Sequence, residues 1–382
     1  GFKVSSEKLG LADIIFLTVG TPSSNDGGID LSYIKNASEM IGKALKDQEG
    51  YHLIAVKSTV IPGTTENTLK PILESSSGKS IGEEIGLVMN PEFLREGSAV
   101  QDMFEPDRLV IGEYDKKSGD VLEGLYRGFY HRKMPPLLRT NLVNAEFIKY
   151  ANNAFLATKI SFINDIANIA QTVPGADVTI ISKGIGLDNR IGGQFLNAGL
   201  GYGGSCFPKD VKALVAFSKQ NGYDPILLDS ANEVNFRQPL VALRLVKQLL
   251  GTLEDKRIAI LGLSFKPNTD DIREAVSLPI IKAALEQGAS VTAYDPEAME
   301  NMSRIFGSKI GYAQSALEAI DDADCCIVVT EWDEFRKLRP EDFASKMRNS
   351  LIIDGRRIFD AKSFEDKVSK FVAIGLGNEL PK

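Results

Sequence analysis

The sequence predicts an α/β protein in which a long central helix joins two doubly wound parallel sheets. The first observation is the alternation of apolar runs with helical patterns after Asp13, and the second is a fresh alternation of the same kind after Gly251. The third is residues 142–172, a helical pattern without glycine or proline, which would span roughly 45 Å at about 1.5 Å per residue. We therefore expect three domains, over residues 1–140, 141–250 and 251–382.

Composition narrows the function classes. The chain has 382 residues, of which 43% are hydrophobic and 25% charged, as expected for two or three globular domains. The net charge of −7 argues against a nucleic-acid partner. Apolar runs such as residues 14–17 are too short to span a bilayer, and the first residues lack a signal-peptide pattern. We expect a cytoplasmic protein without a membrane partner.

The cysteines and histidines exclude two kinds of site. The chain has three cysteines, and the adjacent Cys325 and Cys326 lie in a strand-like run where we expect small core residues rather than a disulfide framework. His52 and His131 are the only histidines, and no metal-ligand spacing surrounds them. No metal is expected.

The first sheet is predicted from three apolar runs, residues 13–19, 53–56 and 86–89. Asp30 is the expected N-cap of the helix after the first run, because its side chain can accept a hydrogen bond from the next turn. In doubly wound sheets the loops at the carboxyl ends of the strands carry the ligands.

The phosphate-binding loop of a dinucleotide domain is missing from its expected place. Such a domain opens with a strand followed by G-x-G-x-x-G, and there is no room for this before Asp13. We expect the gene to encode several tens more residues upstream. Gly199, Gly201 and Gly204 match the motif, but residues 194–198 do not form the β-branched strand that must precede it.

The second sheet begins after a helical stretch at 225–250. Its elements are a strand at 257–261, a loop at 262–273, a helix at 276–287, a strand at 290–294 and a later strand at 351–353.

Cys206 follows a run of glycines and precedes a helical segment over residues 210–219. Glycines let a backbone approach a substrate closely, and a helix start favours a thiolate. Asp210, four residues later, could act on a proton or a water beside the sulfur. The alternative is a tight turn that carries a buried structural cysteine.

Residues 201–210, Gly-Tyr-Gly-Gly-Ser-Cys-Phe-Pro-Lys-Asp, resemble the catalytic-cysteine motif of the UDP-glucose 6-dehydrogenase family. These nucleotide-sugar dehydrogenases oxidise a sugar C6 alcohol to a carboxylate with two NAD. Thr-Val-Gly-Thr-Pro at 18–22, Pro-Glu-Phe-Leu-Arg-Glu-Gly at 91–97 and Asp-Gly-Arg at 354–356 resemble further motifs in the family's order. The resemblance implies two Rossmann-like domains, NAD as cofactor, UDP-glucose as substrate, and a homodimer or higher homo-oligomer.

The resemblance also implies catalytic roles. Cys206 would be the nucleophile, Lys149 and Asn153 would hold the reacting oxygen, and Asp210 and Glu92 would assist the hydrolytic water. Thr59 would help to hold that water. On spacing alone, Glu92 could instead form a solvated helix pair with Glu96, and Lys149 could be a solvated charge.

Further residues are implied as ligands. Arg190 would reach into the neighbouring subunit's site, which would make dimerisation part of the site. The residues implied for NAD are Thr21, Ser58, Thr59, Glu96, Lys209 and Arg273. Those implied for the substrate are Phe93, Leu94, Glu96, Lys149, Asn153, Arg190, Phe195, Tyr202, Gly203, Phe265, Lys266 and Arg356.

Three alternatives stay open. The motif context favours UDP-glucose over the UDP-N-acetylmannosamine branch, whose cysteine lies in a Gly-His-Cys-Ile-Pro context. A two-step dehydrogenase of hydroxy acids would need a lysine or histidine acid-base and no thiol, so Cys206 counts against it. A catalytically silent sugar-nucleotide-binding protein is the third. NADH production from UDP-glucose would separate them.

Overall fold

A computed structural model of the chain describes residues 9–24 and 27–377. These residues divide into two compact units. The first contains the residues up to Asn153 together with Lys209–Asp224, and the second contains Ala154–Pro208 and the residues from Pro225 onward. The division into three domains therefore stays a prediction. The phosphate loop expected upstream lies outside the described residues.

The first unit contains a mostly parallel sheet with the strand order β1-β2-β3-β4-β5, in which only the β3–β4 pair is antiparallel within the described residues. Its strands are Ile14–Leu17 (β1), His52–Val56 (β2), Ile85–Met89 (β3), Leu109–Glu113 (β4) and Leu137–Asn141 (β5).

Side chains of β2 alternate between two cores. Ile54 packs in the core that includes Ile34, whereas Leu53 packs in the core that includes Leu122. Because both faces of the strand are covered, every residue of β2 is buried. This explains why residues 53–56, the predicted part of the strand, are all apolar. The covering helices are Ser32–Leu45 (α1), Lys70–Ser77 (α2) and Lys116–Phe129 (α4), with a π-helical turn at Thr65–Leu69. A short helix, Ala99–Phe104 (α3), has no buried residue.

The predicted long helix is confirmed as Leu142–Ala170 (α5). It begins in the first unit and continues into the second after Asn153. The later helices of this part of the chain are Val178–Gly186 (α6), Phe207–Gln220 (α7), Ile226–Arg237 (α8) and Leu240–Leu250 (α9).

The second unit contains a parallel sheet with the strand order β11-β10-β9-β6-β7-β8. Cys325 and Cys326 lie in β9, are fully buried, and belong to the cores on opposite faces of the sheet. The prediction that they are core residues is confirmed. The strands are Arg257–Leu261 (β6), Ser290–Tyr294 (β7), Gly311–Tyr312 (β8), Cys325–Val328 (β9), Leu351–Asp354 (β10) and Lys370–Ala373 (β11). The helices are Ser277–Glu286 (α10), Met299–Phe306 (α11), Ala316–Ala319 (α12), Pro340–Lys346 (α13) and Ala361–Phe364 (α14).

Two local predictions are wrong. The helical stretch at 225–250 is two helices, α8 and α9, because Pro239 lacks the N–H that would continue the first. Leu31, not Asp30, occupies the N-cap of α1, and no side chain caps that position. Asp30 still accepts a hydrogen bond from the backbone N–H of Ser32, at 2.8 Å, so the aspartate serves the turn before the helix.

Candidate active site

Lys149 and Asn153 lie one turn apart on α5 and are both buried, with 4% and 5% of their surfaces exposed. Their i, i+4 spacing puts them on one face of the helix. The Lys149 Nζ lies 3.0 Å from the Glu92 Oε1 and 5.5 Å from the centre of the Phe93 ring. Lys149 is therefore a paired, buried cation, and the reading of it as a solvated charge is wrong.

Asp210 is a buried carboxylate of the first unit, with 2% of its surface exposed. It accepts a hydrogen bond from the Asn153 Nδ2 at 2.7 Å and one from the Lys209 Nζ at 2.6 Å. Two neighbouring pairs thus lie along one face of α5. Lys149 donates to Glu92, and Asn153 donates to Asp210. Such pairs hold charged groups in fixed directions, because each group's alternative is an unpaired buried charge.

Glu92 and its neighbours form a loop after β3 rather than a helix, so the reading of Glu92 and Glu96 as a solvated helix pair is wrong. The Glu92 Oε2 accepts a hydrogen bond from the Leu94 N–H at 2.6 Å, which fixes the carboxylate against its own loop. Phe93 is covered by Arg108, whose guanidinium carbon lies 3.8 Å from the ring centre. Glu96 and Leu94 are exposed.

Thr21, Ser58 and Thr59 meet where β1 and β2 end. The Thr21 Oγ1 donates to the Thr59 carbonyl at 2.8 Å, and the Ser58 Oγ donates to the Val19 carbonyl at 2.7 Å. These bonds join the loop after β1 to the loop after β2 at the carboxyl edge of the sheet, which is the ligand-binding edge of doubly wound folds.

In the second unit, Cys206 is exposed and directly precedes α7, as predicted. The Cys206 Sγ lies 3.6 Å from the Ser205 Oγ. The reading of this residue as a buried structural cysteine is wrong. No strand precedes the loop, so the rejection of a dinucleotide motif at Gly199 is confirmed.

The glycines before Cys206 allow close packing within the second unit. A Cβ on Gly203 would collide with the Glu274 carbonyl oxygen, and a Cβ on Gly204 would lie 2.7 Å from the Phe265 ring. The Gly204 N–H also donates to the Arg273 carbonyl at 2.9 Å. The cysteine loop therefore rests directly on the loop after β6.

Aromatic residues and an asparagine hold the other side of the cysteine loop. Tyr202 and Phe195 lie with their ring centres 6.0 and 6.1 Å from that of Phe207. Asn235 accepts from the Tyr202 N–H at 2.8 Å and donates to its carbonyl at 3.0 Å. The backbone at Tyr202 is thereby fixed in both directions.

The predicted cationic ligands of the second unit differ in what they contact. Arg356 donates to the Gly201 carbonyl at 3.0 Å and to the Val329 carbonyl at 2.6 Å. The Lys266 Nζ lies 5.2 Å from the centre of the Phe265 ring. Arg273 pairs with Asp271 at 2.6 Å, and Arg190 pairs with Asp188 at 2.6 Å. The ligand roles of these residues stay predictions.

Family models match three successive parts of the chain. Residues 2–130 match the NAD binding domain of the UDP-glucose/GDP-mannose dehydrogenase family, residues 143–237 its central domain, and residues 259–361 its UDP binding domain. The chain belongs to this family. The predicted family, fold class and NAD cofactor are thereby confirmed.

Relatives of this dehydrogenase cover most of its length. A UDP-glucose 6-dehydrogenase from Haloferax volcanii is 47% identical, over 91% of this chain and 80% of that protein. A UDP-glucose 6-dehydrogenase from Bacillus subtilis is 42% identical, over 95% of this chain and 77% of that protein. The structure of a UDP-glucose dehydrogenase from Pyrobaculum islandicum superposes with a TM-score of 0.89 at 35% identity, over 98% of this chain and 83% of that one. A UDP-D-ManNAc dehydrogenase from Pyrococcus horikoshii gives a TM-score of 0.84 at 26% identity, over 98% and 84%.

Sequence reasoning missed Lys57 and Asn90 of the dehydrogenase. The Lys57 Nζ donates to the Asn90 Oδ1 at 3.0 Å, and the Asn90 Nδ2 donates to the Val110 carbonyl at 2.8 Å. Tyr126 donates to the same Asn90 oxygen at 2.5 Å. Burial lowers the pKa of Lys57 to about 8, although the charge of Glu92 opposes this shift. Lys57 directly follows β2 and Asn90 directly follows β3. This position at the carboxyl ends of two strands could have identified them from the sequence.

The first unit fits a bound NAD at the edge formed by β1 and β2. The loop after β1 has open space beside Gly20, where an added Cβ would meet no atom within 4 Å. The hydroxyl-bearing residues Thr21, Ser58 and Thr59 lie on the two adjoining loops. Among residues 9–24 and 27–377, no helix is long and apolar enough to cross a membrane.

Proposed function

We propose that the chain oxidises UDP-glucose to UDP-glucuronate in two successive two-electron steps, with Cys206 as a covalent nucleophile. The observation that carries the proposal is the burial of Lys149 and Asn153 on one face of α5, each fixed by a carboxylate. An ammonium and an amide N–H directed from one helical face are suited to a developing oxyanion. UDP-glucose is the substrate named for the relatives at 47% and 42% identity.

The chemistry assigns a role to each residue. Loss of a hydride from C6 and a proton from its hydroxyl gives an aldehyde. The Cys206 thiolate then adds to the aldehyde carbon, and Lys149 and Asn153 stabilise the resulting oxyanion. Loss of a second hydride from the same carbon leaves a thioester. Water then displaces the thiolate, and Asp210 and Glu92 accept protons from that water.

NAD, when bound, supplies the hydride acceptor for each oxidation. Thr21, Ser58 and Thr59 are the residues of the first unit that would hold it, with Glu96, Lys209 and Arg273 as further predicted contacts. In the second unit, Lys266 and Arg356 would bind the diphosphate, because charged N–H donors form strong hydrogen bonds with phosphate oxygens. The protein is proposed to work in the cytoplasm.

NADH formation tests this proposal. Purified protein with NAD should release two NADH for each UDP-glucose consumed, and UDP-N-acetylmannosamine should give a much lower rate. A higher rate with UDP-N-acetylmannosamine would reassign the sugar. Binding of UDP-glucose without NADH formation would make the chain a silent binding protein.

We further propose that two copies associate through the second half of α5. Phe155, Phe162 and Ile169 recur every seven residues along the helix and expose 66%, 51% and 57% of their surfaces. Seven residues are close to two helical turns, so the three side chains form one apolar stripe. A second copy of the same stripe is a self-complementary partner for it. Val173 and Ile180, which follow the helix in sequence, are also exposed apolar residues.

Light scattering after size exclusion tests the association. The wild-type chain should elute as a dimer or larger, and Phe162→Asp should shift it toward the monomer. The exposed Leu317→Asp is the matched control, because Leu317 lies in α12 and far from this helix in sequence. A wild-type monomer, or an unchanged mass for Phe162→Asp, would contradict the proposal.

A further inference from the structure

Glu146 is a fully buried carboxylate that the proposed reaction does not use. It lies on α5 one turn before Lys149, and none of its surface is exposed. Its Oε1 accepts hydrogen bonds from the Thr65 N–H at 2.8 Å and the Thr65 hydroxyl at 2.6 Å. Its Oε2 accepts one from the Gly63 N–H. The three donors lie on Gly63 and Thr65, where the loop after β2 enters the π-helical turn.

That loop, residues 57–64, connects β2 to the π-helical turn, whose first residue is Thr65. Its first half carries Ser58 and Thr59, which hydrogen-bond to the loop after β1. Its second half contains Pro62, which has no N–H to donate. The hydrogen bonds from Gly63 and Thr65 to Glu146 join residues that are 83 and 81 positions apart in the sequence. Glu146 therefore connects the second half of the loop to α5.

Stabilisation of the fold alone does not explain why a carboxylate occupies this buried position. Burial raises the pKa of Glu146, and the bonds from Thr65 and Gly63 oppose that rise. A buried ionised group costs solvation energy that a well-packed apolar residue would not lose. The carboxylate instead fixes the orientation of this segment, because it accepts hydrogen bonds from three donors at once.

We propose that Glu146 is a positioning residue that holds the loop carrying Ser58 and Thr59 in register with Lys149 and Asn153. The inference rests on the proposed function, in which the loop serves the cofactor and the hydrolytic water while the helix serves the reacting oxygen. Reaction rates depend steeply on such placement, and an error of about 1 Å can cost about a hundredfold. Because Glu146 and Lys149 share one helix, a displaced loop would be displaced relative to Lys149.

Glu146→Gln tests the proposal, since glutamine keeps the shape but offers one acceptor oxygen instead of two. Asp115→Asn is the matched control. Asp115 caps α4 in the same unit and accepts hydrogen bonds from the Ser118 N–H at 2.8 Å and hydroxyl at 3.0 Å. We expect both variants to lower the melting temperature. Only Glu146→Gln should lower kcat, by about tenfold to a hundredfold, with KM for UDP-glucose changed by less than about threefold.

A double-mutant cycle with Thr59→Ala separates positioning from general damage. If Glu146 acts through the loop, then Glu146→Gln should cost much less in the Thr59→Ala background than in the wild type. Equal kinetics for Glu146→Gln and Asp115→Asn, or additive effects in the cycle, would overturn the proposal. Should Glu146→Gln fail to fold, Thr65→Val removes a single donor and should show the same kinetic pattern at smaller size.

Amide hydrogen exchange supplies a readout that needs no turnover. Peptides that cover residues 57–65 should exchange at least about tenfold faster in Glu146→Gln, and at the wild-type rate in Asp115→Asn. Unchanged exchange in Glu146→Gln would overturn the proposal that Glu146 holds this loop. If the wild type forms no NADH from UDP-glucose, the proposed function fails. The positioning role of Glu146 is then tested by hydrogen exchange and by the calorimetric affinity for NAD.

Discussion

The two units place their candidate site residues by different physical means. In the first unit Lys149, Asn153 and Asp210 are almost completely buried, and each is fixed by another side chain. In the second unit Cys206 is exposed, and glycine backbone at 203 and 204 sets the course of its loop. A buried charged group stays with its partner because an unpaired buried charge is costly, whereas glycine lets a loop approach its neighbours closely because it has no Cβ. Substitutions in the first unit should therefore affect stability and activity together, and substitution of the thiol should affect activity alone.

The largest expected effect is that of Cys206→Ser. Serine is a much weaker nucleophile without an activating base, so net turnover should fall at least about a thousandfold. The melting temperature and the calorimetric affinity for UDP-glucose should stay close to wild type, because the side chain is exposed. A steady-state rate equal to wild type would exclude the covalent mechanism.

Lys149→Met should lower kcat by about a hundredfold or more, since it removes the proposed oxyanion donor. It also leaves Glu92 without its ammonium partner, so thermal unfolding should show a loss of about 1 to 2 kcal/mol. Adding Glu92→Gln should recover stability and leave kcat low. A double variant as unstable as Lys149→Met would mean that the ion pair does not couple these effects.

Lys266→Ala and Arg356→Ala should each weaken UDP-glucose binding by about 1.5 to 3 kcal/mol, as expected for a lost charged hydrogen bond. Arg356→Ala should also lower the melting temperature, because Arg356 donates to the carbonyls of Gly201 and Val329. Calorimetry and thermal unfolding of the same samples measure both effects. Unchanged affinity in both variants would remove the second unit from nucleotide binding.

The smallest expected effect is the pH dependence of Lys57→Met. Because the pKa of Lys57 falls from 10.5 to about 8 on burial, the unfolded chain binds more protons between these values, and stability rises with pH there. Below about pH 8 the charge opposes folding, so Lys57→Met should stabilise the chain by about 1 to 2 kcal/mol at pH 7. The gain should disappear above pH 10.5.

Lys46→Met, at an exposed position after α1, is the control for Lys57→Met. Denaturant unfolding at several pH values should show no comparable trend for this variant. A gain for Lys57→Met that is equal at pH 7 and at pH 11 would mean that lost charge is not its cause. Such a result would contradict the conclusion that burial of the Lys57 charge opposes folding.

The sequence alone determined the elements and the chemical identity of the candidate residues. The long helix and the buried strands follow from periodicity, because one face or both faces of each element must be covered by apolar side chains. The position of Cys206 before a helix followed from the glycines and the helical pattern after them. The i, i+4 spacing of Lys149 and Asn153 also followed from the sequence.

Tertiary structure alone decided which charges are buried and which groups they pair with. Lys57, Asn90 and Glu146 are distant in sequence from their partners. The ends of β2 and β3 point to Lys57 and Asn90 as candidates, but no local pattern shows which groups they pair with. The start of α1 after Leu31, without a side-chain cap, was likewise decided by the folded backbone. The break at Pro239, in contrast, has a cause that the sequence already contains. The physical reason is that periodicity reports only the environment of one element, whereas the burial and pairing of a charge depend on segments that the fold brings together.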